Sequence, residues 1–143
     1  NSLRLQASDM EELNLLLQSR YREIEEKEVL FEEFDCEDAE YIIVAFGISA
    51  RICQKAVEIA RQKGIKAGML RPITLYPFPT EALKKYAEKV KGMLSVEMSA
   101  GQMVEDVRLA VNGKVPVEFY GRMGGIVPSP EEVVTALESK LVK

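Results

Sequence analysis

The run YIIVAFGISAR, residues 41–51, decides the fold of this chain. Its first six residues are all apolar, which is typical of a strand covered on both faces in a parallel sheet. Gly47 ends the run, and Cys53, Ala56, Val57 and Ala60 then recur on one face of a helix that we predict over residues 50–63. A buried strand followed directly by a helix indicates an α/β protein with helices on both faces of the sheet.

The rest of the chain repeats this alternation. We predict strands at residues 29–34, 41–46, 65–70, 92–97 and 115–120. Helices are expected at residues 81–90, 103–111 and 130–141, the first capped by Thr80 and the last by Ser129 in a capping box with Glu132. Pro116 favours an edge position for the last strand. The sequence therefore predicts a three-layer α/β/α domain around a five-stranded sheet.

Composition excludes several classes of function. The 143 residues are 47% apolar and 29% charged, as in an ordinary soluble domain, and no apolar run is long enough to cross a membrane. The basic residues are dispersed and form no nucleic-acid-binding motif. There is no histidine, and two distant cysteines, Cys36 and Cys53, fit a cytoplasmic protein without a metal site. We therefore expect no membrane, nucleic-acid or metal partner.

The first 28 residues are expected to form a linker helix outside the main domain, residues 29–143. Ser8 and Glu11 fit a capping box. Residues 1–40 hold 13 acidic and 4 basic side chains, whereas residues 41–143 hold 10 acidic and 15 basic ones. We expect this helix to lie against the basic body or a second copy of the chain. Its apolar stripe consists of Met10, Leu13, Leu17, Tyr21 and Ile24.

Two strand ends could carry a ligand site, although neither provides a catalytic group. The amides of residues 47–49 open a helix and could hold an anion, but Ser49 also fits a plain N-cap. Glu97 ends a strand, where sites of open α/β sheets gather, and could instead pair with Arg51 or Arg71. The phosphate-binding patterns GxxxxGK[ST] and GxGxxG are absent.

The proline-rich stretch LRPITLYPFP, residues 70–79 and called the proline loop below, is stiff and unusually apolar for a surface connection. Aromatic and arginine side chains on a rigid backbone are typical of interface hot spots. Alternatively, Phe78 covers the core of its own domain. The residues that we expect to contact another domain or subunit are Arg71, Pro72, Tyr76, Pro77, Phe78 and Pro79.

Three stretches in this order, AFGISAR (45–51), LRPITLYPFP (70–79) and VEMSAGQ (96–102), resemble the C-terminal region of the alpha subunit of 2-oxoacid:ferredoxin oxidoreductases. The resemblance covers about residues 28–140 and implies a transketolase C-terminal-like fold. In that fold the first strand is antiparallel, and the third predicted strand lies between it and the second. The fourth and fifth strands follow, so a crevice opens between the second and fourth. The residues around it are Gly47, Ser49, Arg51, Glu97, Met98, Ser99, Gly101 and Gln102.

The resemblance also implies an activity for the complete enzyme. Such enzymes use thiamine diphosphate, magnesium, an iron–sulfur cluster and coenzyme A to convert a 2-oxoacid to an acyl-CoA and reduce ferredoxin. This chain has no GDG motif and no cluster cysteines, so we expect it to bind none of these cofactors and to be inactive alone. Because it begins with Asn1, we expect a piece of a longer subunit. Its expected partners are an upstream pyrimidine-binding-type domain, the beta subunit and ferredoxin, with a homodimer as a further possibility.

Other functions fit the same residues. A flavodoxin-like module would bind a phosphate-bearing ligand by itself. The C-terminal domain of a transketolase, or of the beta subunit of a 2-oxoacid dehydrogenase, would share the fold, although Leu70-Arg71-Pro72 with the following prolines favours the ferredoxin-linked family. An interaction domain without any ligand is a further alternative.

Overall fold

A computed structural model describes residues 4–142 and contains five strands and five helices. The strands are β1 (Phe31–Phe34), β2 (Tyr41–Ala45), β3 (Ala67–Pro72), β4 (Gly92–Glu97) and β5 (Val117–Gly121). The helices are α1 (Ala7–Lys27), α2 (Gly47–Gln62), α3 (Thr80–Ala87), α4 (Met103–Val111) and α5 (Pro130–Lys140). The sheet order is β1-β3-β2-β4-β5, with β1 antiparallel to β3 and the other pairs parallel. The predicted fold class is confirmed.

The central strand β2 is buried along its whole length because helices cover both faces of the sheet. Alternate side chains enter two separate cores. Ile43 and Ala45 pack with α2 and α5 on one face, whereas Ile42 and Val44 pack with α3 and α4 on the other. This division explains why residues 41–46 are continuously apolar rather than alternating.

Several helix starts differ from the prediction. Helix α1 has Gln6 as its N-cap, and Ser8 lies inside the helix with its hydroxyl directed to Asp9, so the predicted Ser8 capping box is wrong. Thr80 is the first residue of α3 rather than its cap, which is Pro79. In both helices the chain enters from an extended or turn conformation without a side-chain cap. That helix, α3, also ends at Ala87, three residues before the predicted end.

Helix α2 begins at Gly47, earlier than predicted, and Phe46 is its N-cap. Ser49 is therefore a buried residue of the first turn, and the prediction that it caps the helix is wrong. Gly47 has a positive φ of 56°, which turns the chain from β2 directly into the helix at little steric cost. By contrast, the capping box of Ser129 with Glu132 at the start of α5 is confirmed.

Helix α1 has no buried residue. In its predicted apolar stripe, Met10 (38%) and Tyr21 (43%) are exposed and Leu13 and Leu17 are half-buried, so the basic body does not bury the stripe; contact with a second copy of the chain, the other expectation, stays a prediction. The reason is geometric: the helix leads into β1, and its side chains reach neither of the two cores. The separation of residues 1–28 from residues 29–143 stays a prediction.

Deletion of residues 1–27 should leave a domain that unfolds cooperatively. The expected melting temperature is within a few degrees of that of the whole chain, because no side chain of α1 contributes to either core. Circular dichroism melting curves of both chains test this. A truncated chain without a cooperative transition would show that α1 belongs to the folding unit.

Candidate functional site

The switch-point crevice lies at the carboxyl ends of β2 and β4, where the strand order reverses. Its volume is about 420 Å³. Of the eight residues predicted around it, the structure brings together six: Gly47, Ser49, Glu97, Met98, Ser99 and Gln102. Five further lining residues were not predicted, namely Phe46, Ile48, Leu75, Met103 and Asp106.

Arg51 and Gly101 do not line this crevice. Arg51 lies with Arg71 in a neighbouring groove beside β1. Gly101 has a positive φ of 106°, and a Cβ there would meet Val104 and Phe119, so it serves the tight turn into α4. The structure therefore places six of the predicted residues around one concavity and the other two outside it, and a ligand role for them stays a prediction.

Glu97 is the buried ionisable group of the crevice, and only 2% of its surface is exposed. Its carboxylate accepts hydrogen bonds from the backbone N–H groups of Gln102 (2.9 Å), Met103 (3.0 Å) and Val104 (2.9 Å) at the start of α4. The hydroxyls of Ser95 and Ser99 each donate to it at 3.1 Å. Five donors thus satisfy one carboxylate.

This arrangement fills the place where an α/β protein can hold an anionic ligand. The first N–H groups of a helix have no partner within it, and the helix dipole favours negative charge there. The N-cap residue Gln102 makes no side-chain capping bond, so Glu97 caps α4 from five positions upstream. The N–H groups at the N-terminus of α4 are therefore already hydrogen-bonded to the carboxylate of Glu97.

The pKa of Glu97 reflects this network. Burial alone would raise the pKa, but the three backbone N–H groups and the Ser99 hydroxyl lower it below the ordinary value of 4.5. The alternative of an ion pair with Arg51 or Arg71 is wrong, because Arg71 pairs with Glu32 at 2.9 Å and lines the neighbouring groove with Arg51. Glu97 is thus ionised and bound within its own domain.

The proline loop contributes Leu75 to the crevice and exposes several apolar side chains. Pro72, Pro77 and Pro79 are buried, whereas Tyr76 is 60% exposed. The Thr74 hydroxyl donates to the Pro77 carbonyl at 2.8 Å and accepts from the Leu30 N–H at 3.0 Å. These bonds hold the loop against the start of β1.

Within the loop, Phe78 and Tyr76 have different surroundings. Phe78 is half-buried and packs on the core beneath α3 and α4, as in the alternative interpretation of this residue. Tyr76 and its exposed neighbours Ile73 (49%) and Leu75 (48%) have no such cover. The loop therefore combines an inner support with an outward apolar surface.

Known proteins share both the sequence and this architecture. The family model of the pyruvate:ferredoxin oxidoreductase core domain II matches residues 39–133. The chain belongs to this family. Those residues span β2 to the beginning of α5 and include the crevice and the proline loop. The predicted resemblance to 2-oxoacid:ferredoxin oxidoreductases is confirmed.

The curated relatives of this chain are longer proteins, and the similarity covers only part of each. The ketoisovalerate oxidoreductase subunit VorB of Methanothermobacter marburgensis is 50% identical over 124 residues, which cover 87% of this chain and 35% of the relative. The chain thus spans about a third of the length of the curated relatives that it matches.

Two solved structures share the fold. The 2-oxoglutarate:ferredoxin oxidoreductase from Magnetococcus marinus, with 2-oxoglutarate, coenzyme A and succinyl-CoA bound, superposes with a TM-score of 0.82 at 18% identity. The match covers 95% of this chain and 24% of that one. A split-gene transketolase, an inactive β4 tetramer, gives a TM-score of 0.64 at 21% identity over 74% of this chain and 39% of its own. The transketolase-like fold of core domain II is therefore shown.

Other features of the described residues concern metals and membranes. Among residues 4–142, no group of three or more carboxylate, cysteine or histidine side chains is arranged to hold a metal ion. In the same part of the chain, every helix is too short or too polar to cross a membrane. Cys36 and Cys53 are buried and unpaired, and burial raises the pKa of Cys53 to about 12.

The substitution Glu97→Gln should destabilise core domain II by about 1–3 kcal/mol, because an amide NH₂ cannot accept from the N–H groups of α4 and the charge–dipole interaction is lost. Urea unfolding measures the difference. Glu105→Gln, an exposed carboxylate in the first turn of the same helix, is the matched control and should change stability much less. Equal effects of the two substitutions would contradict the role of Glu97.

The contribution of Glu97 should depend on pH. Because its pKa is lower in the folded state than the ordinary 4.5, the carboxylate stabilises the fold fully above that value. The stabilisation is lost as the pH falls through the lower folded value. The stability difference between the native chain and the Glu97→Gln variant should therefore be largest above pH 4.5 and shrink as the pH falls below that value. A difference that is constant over this range would show that ionisation of Glu97 plays no part.

Proposed function

We propose that this chain is a domain of the alpha subunit of a thiamine-diphosphate-dependent 2-oxoacid:ferredoxin oxidoreductase, with a structural role and no activity of its own. Family membership and the ketoisovalerate oxidoreductase relative support this proposal. The complete enzyme would oxidatively decarboxylate a 2-oxoacid to an acyl-CoA. Thiamine diphosphate, magnesium, an iron–sulfur cluster and coenzyme A would be held by other parts of it.

The observation that carries the structural role is the position of Glu97. A diphosphate at the start of α4 would need the N–H groups of that helix, but the carboxylate of Glu97 accepts from those of Gln102, Met103 and Val104. An added anion would also face that buried negative charge. The start of α4 therefore does not fit the diphosphate of thiamine diphosphate, nor the phosphate of a flavodoxin-like module's ligand.

We propose that the carboxyl edge of the sheet is instead a contact surface. Exposed apolar side chains lie at this edge: Ile48 (64%) and Leu75 line the crevice, and Ile73 and Tyr76 belong to the adjoining proline loop. Scattered exposed apolar residues are ordinary, but a cluster at one edge is typical of an interface. The contacts would be made by the accessible residues, namely Arg71, Tyr76 and Phe78 of the proline loop and Gly47, Met98, Ser99 and Gln102 around the crevice. The buried Pro72, Pro77, Pro79 and Ser49 would support them from beneath.

The proposed partners follow from this role. The upstream pyrimidine-binding-type domain of the same subunit would cover the crevice, and the beta subunit would complete the enzyme. Ferredoxin would meet the complete complex. Helix α1 would link the domains, and its uncovered stripe supports contact with another part of the assembly or a second copy of the chain. The two unpaired cysteines support a cytoplasmic location.

Calorimetric titration of the chain with thiamine diphosphate and magnesium tests the central part of this proposal. We expect no binding heat at micromolar ligand concentrations, because Glu97 already engages the N–H groups of α4. Flavin mononucleotide in a parallel titration tests the flavodoxin-like alternative. Micromolar binding of either ligand with a defined stoichiometry would overturn the proposal.

Paired substitutions in the proline loop should separate stability from assembly. Phe78→Ala should lower the stability of the chain by about 1–2 kcal/mol, because its ring is half-buried on the core. Tyr76→Ala should leave stability nearly unchanged, because the side chain is 60% exposed, but should weaken assembly of the full subunits. Melting curves and size-exclusion chromatography measure the two effects. Normal assembly of the Tyr76→Ala variant would show that the loop is not an interface.

A further inference from the structure

A second concave surface, here called the proline-loop groove, lies between the proline loop and α4. Its volume is about 430 Å³. The floor is apolar and formed by Phe31, Pro77, Phe78 and Ala110. At its margin, Leu109 of α4 is 79% exposed, although the neighbouring Ala110 is buried.

The rim of this groove is acidic. Glu25 from α1, Glu81 from α3 and Asp106 from α4 lie around the apolar floor, and none of the described lining residues is a lysine or an arginine. Glu81 pairs with Lys84 at 2.7 Å. Neither Glu25 nor Asp106 forms an ion pair within residues 4–142. The groove therefore offers negative charge that the described part of the chain does not neutralise.

The groove is continuous with the contact surface at the switch point. Asp106 lines both concavities, and the proline loop separates them, with Leu75 facing the crevice and Tyr76 facing the groove. Exposure of Leu75 and Tyr76 to water beside an apolar floor is energetically unfavourable. Such a cluster of exposed apolar side chains is typical of a binding surface. A partner bound at the edge of the crevice could therefore also contact the adjoining groove.

We propose that the proline-loop groove binds a protein segment of another subunit or domain in which an apolar side chain is flanked by lysine or arginine. The apolar side chain would lie on Phe31 and Phe78, and the basic groups would pair with Glu25 and Asp106. This inference rests on the proposed function only in placing core domain II within a larger assembly. It adds the chemistry of the partner.

A second copy of helix α1 is a poor occupant of the groove. That helix presents an apolar stripe, but it carries six acidic and three basic side chains. Its net negative charge would meet the acidic rim, and like charges brought together at an interface are repulsive. The charge of the rim therefore disfavours the α1 helix of a second copy as the occupant of this groove.

Photo-crosslinking in the assembled full-length complex tests which protein segment lies in the groove. A photoreactive amino acid replaces Leu109, and Gln62, exposed at the end of α2 on the opposite layer, is the control position. Mass spectrometry should locate crosslinks from position 109 in a segment with lysine or arginine within one helical turn of an apolar residue. Position 62 should not label that segment. Labelling of a second copy of this chain, of an acidic segment or of nothing would overturn the inference.

Charge reversal tests the acidic rim independently. Asp106→Lys should weaken subunit association at least about tenfold, because it would place a cation against the basic partner. Glu105→Lys, the neighbouring exposed carboxylate that does not line the groove, is the matched control. Equal dissociation constants for the two variants would contradict the inference. Ferredoxin reduction by a 2-oxoacid in the native complex is assayed separately, so that loss of the proposed function is not confused with failure of the groove.

Discussion

The structure at the carboxyl edge of the sheet depends on the hydrogen bonds that the carboxylate of Glu97 accepts. It joins the end of β4 to the start of α4 through three backbone N–H groups and holds the connecting turn through Ser99. A buried charge is tolerated only when it is well satisfied, and here five donors satisfy it. The position of α4, and with it Asp106 and Leu109, follows from this contact.

This internal carboxylate changes which groups can bind at the switch point of an open α/β sheet. In an open α/β sheet the switch point and the adjacent helix N-termini are the usual place for a phosphate group. Here the chain's own carboxylate takes that place at α4, while Ile48 and Leu75 remain exposed around it. These exposed side chains support the proposal that this edge contacts another protein surface.

The sequence predicted the elements better than their junctions. Continuous burial of residues 41–45 and the helical spacing of Cys53, Ala56 and Val57 are strong local signals, and the family resemblance supplied the strand order. Ser8 and Ser49 were mistaken for caps because cap preference is local, whereas the actual starts depend on backbone geometry. The capping of α4 by Glu97 could not be predicted, because it needs the return of the chain through residues 98–102. Leu75 carried one weak signal, an apolar residue in a stiff loop.

Glu97 occupies the anion position at the switch point, and a titration of the ¹⁵N-labelled chain with inorganic pyrophosphate, followed by amide chemical shifts, tests this most directly. We predict that the amides of Gln102, Met103 and Val104 do not respond saturably in the native chain, because their N–H groups already donate to Glu97. Saturable shifts of these three amides at submillimolar pyrophosphate would contradict this role of Glu97.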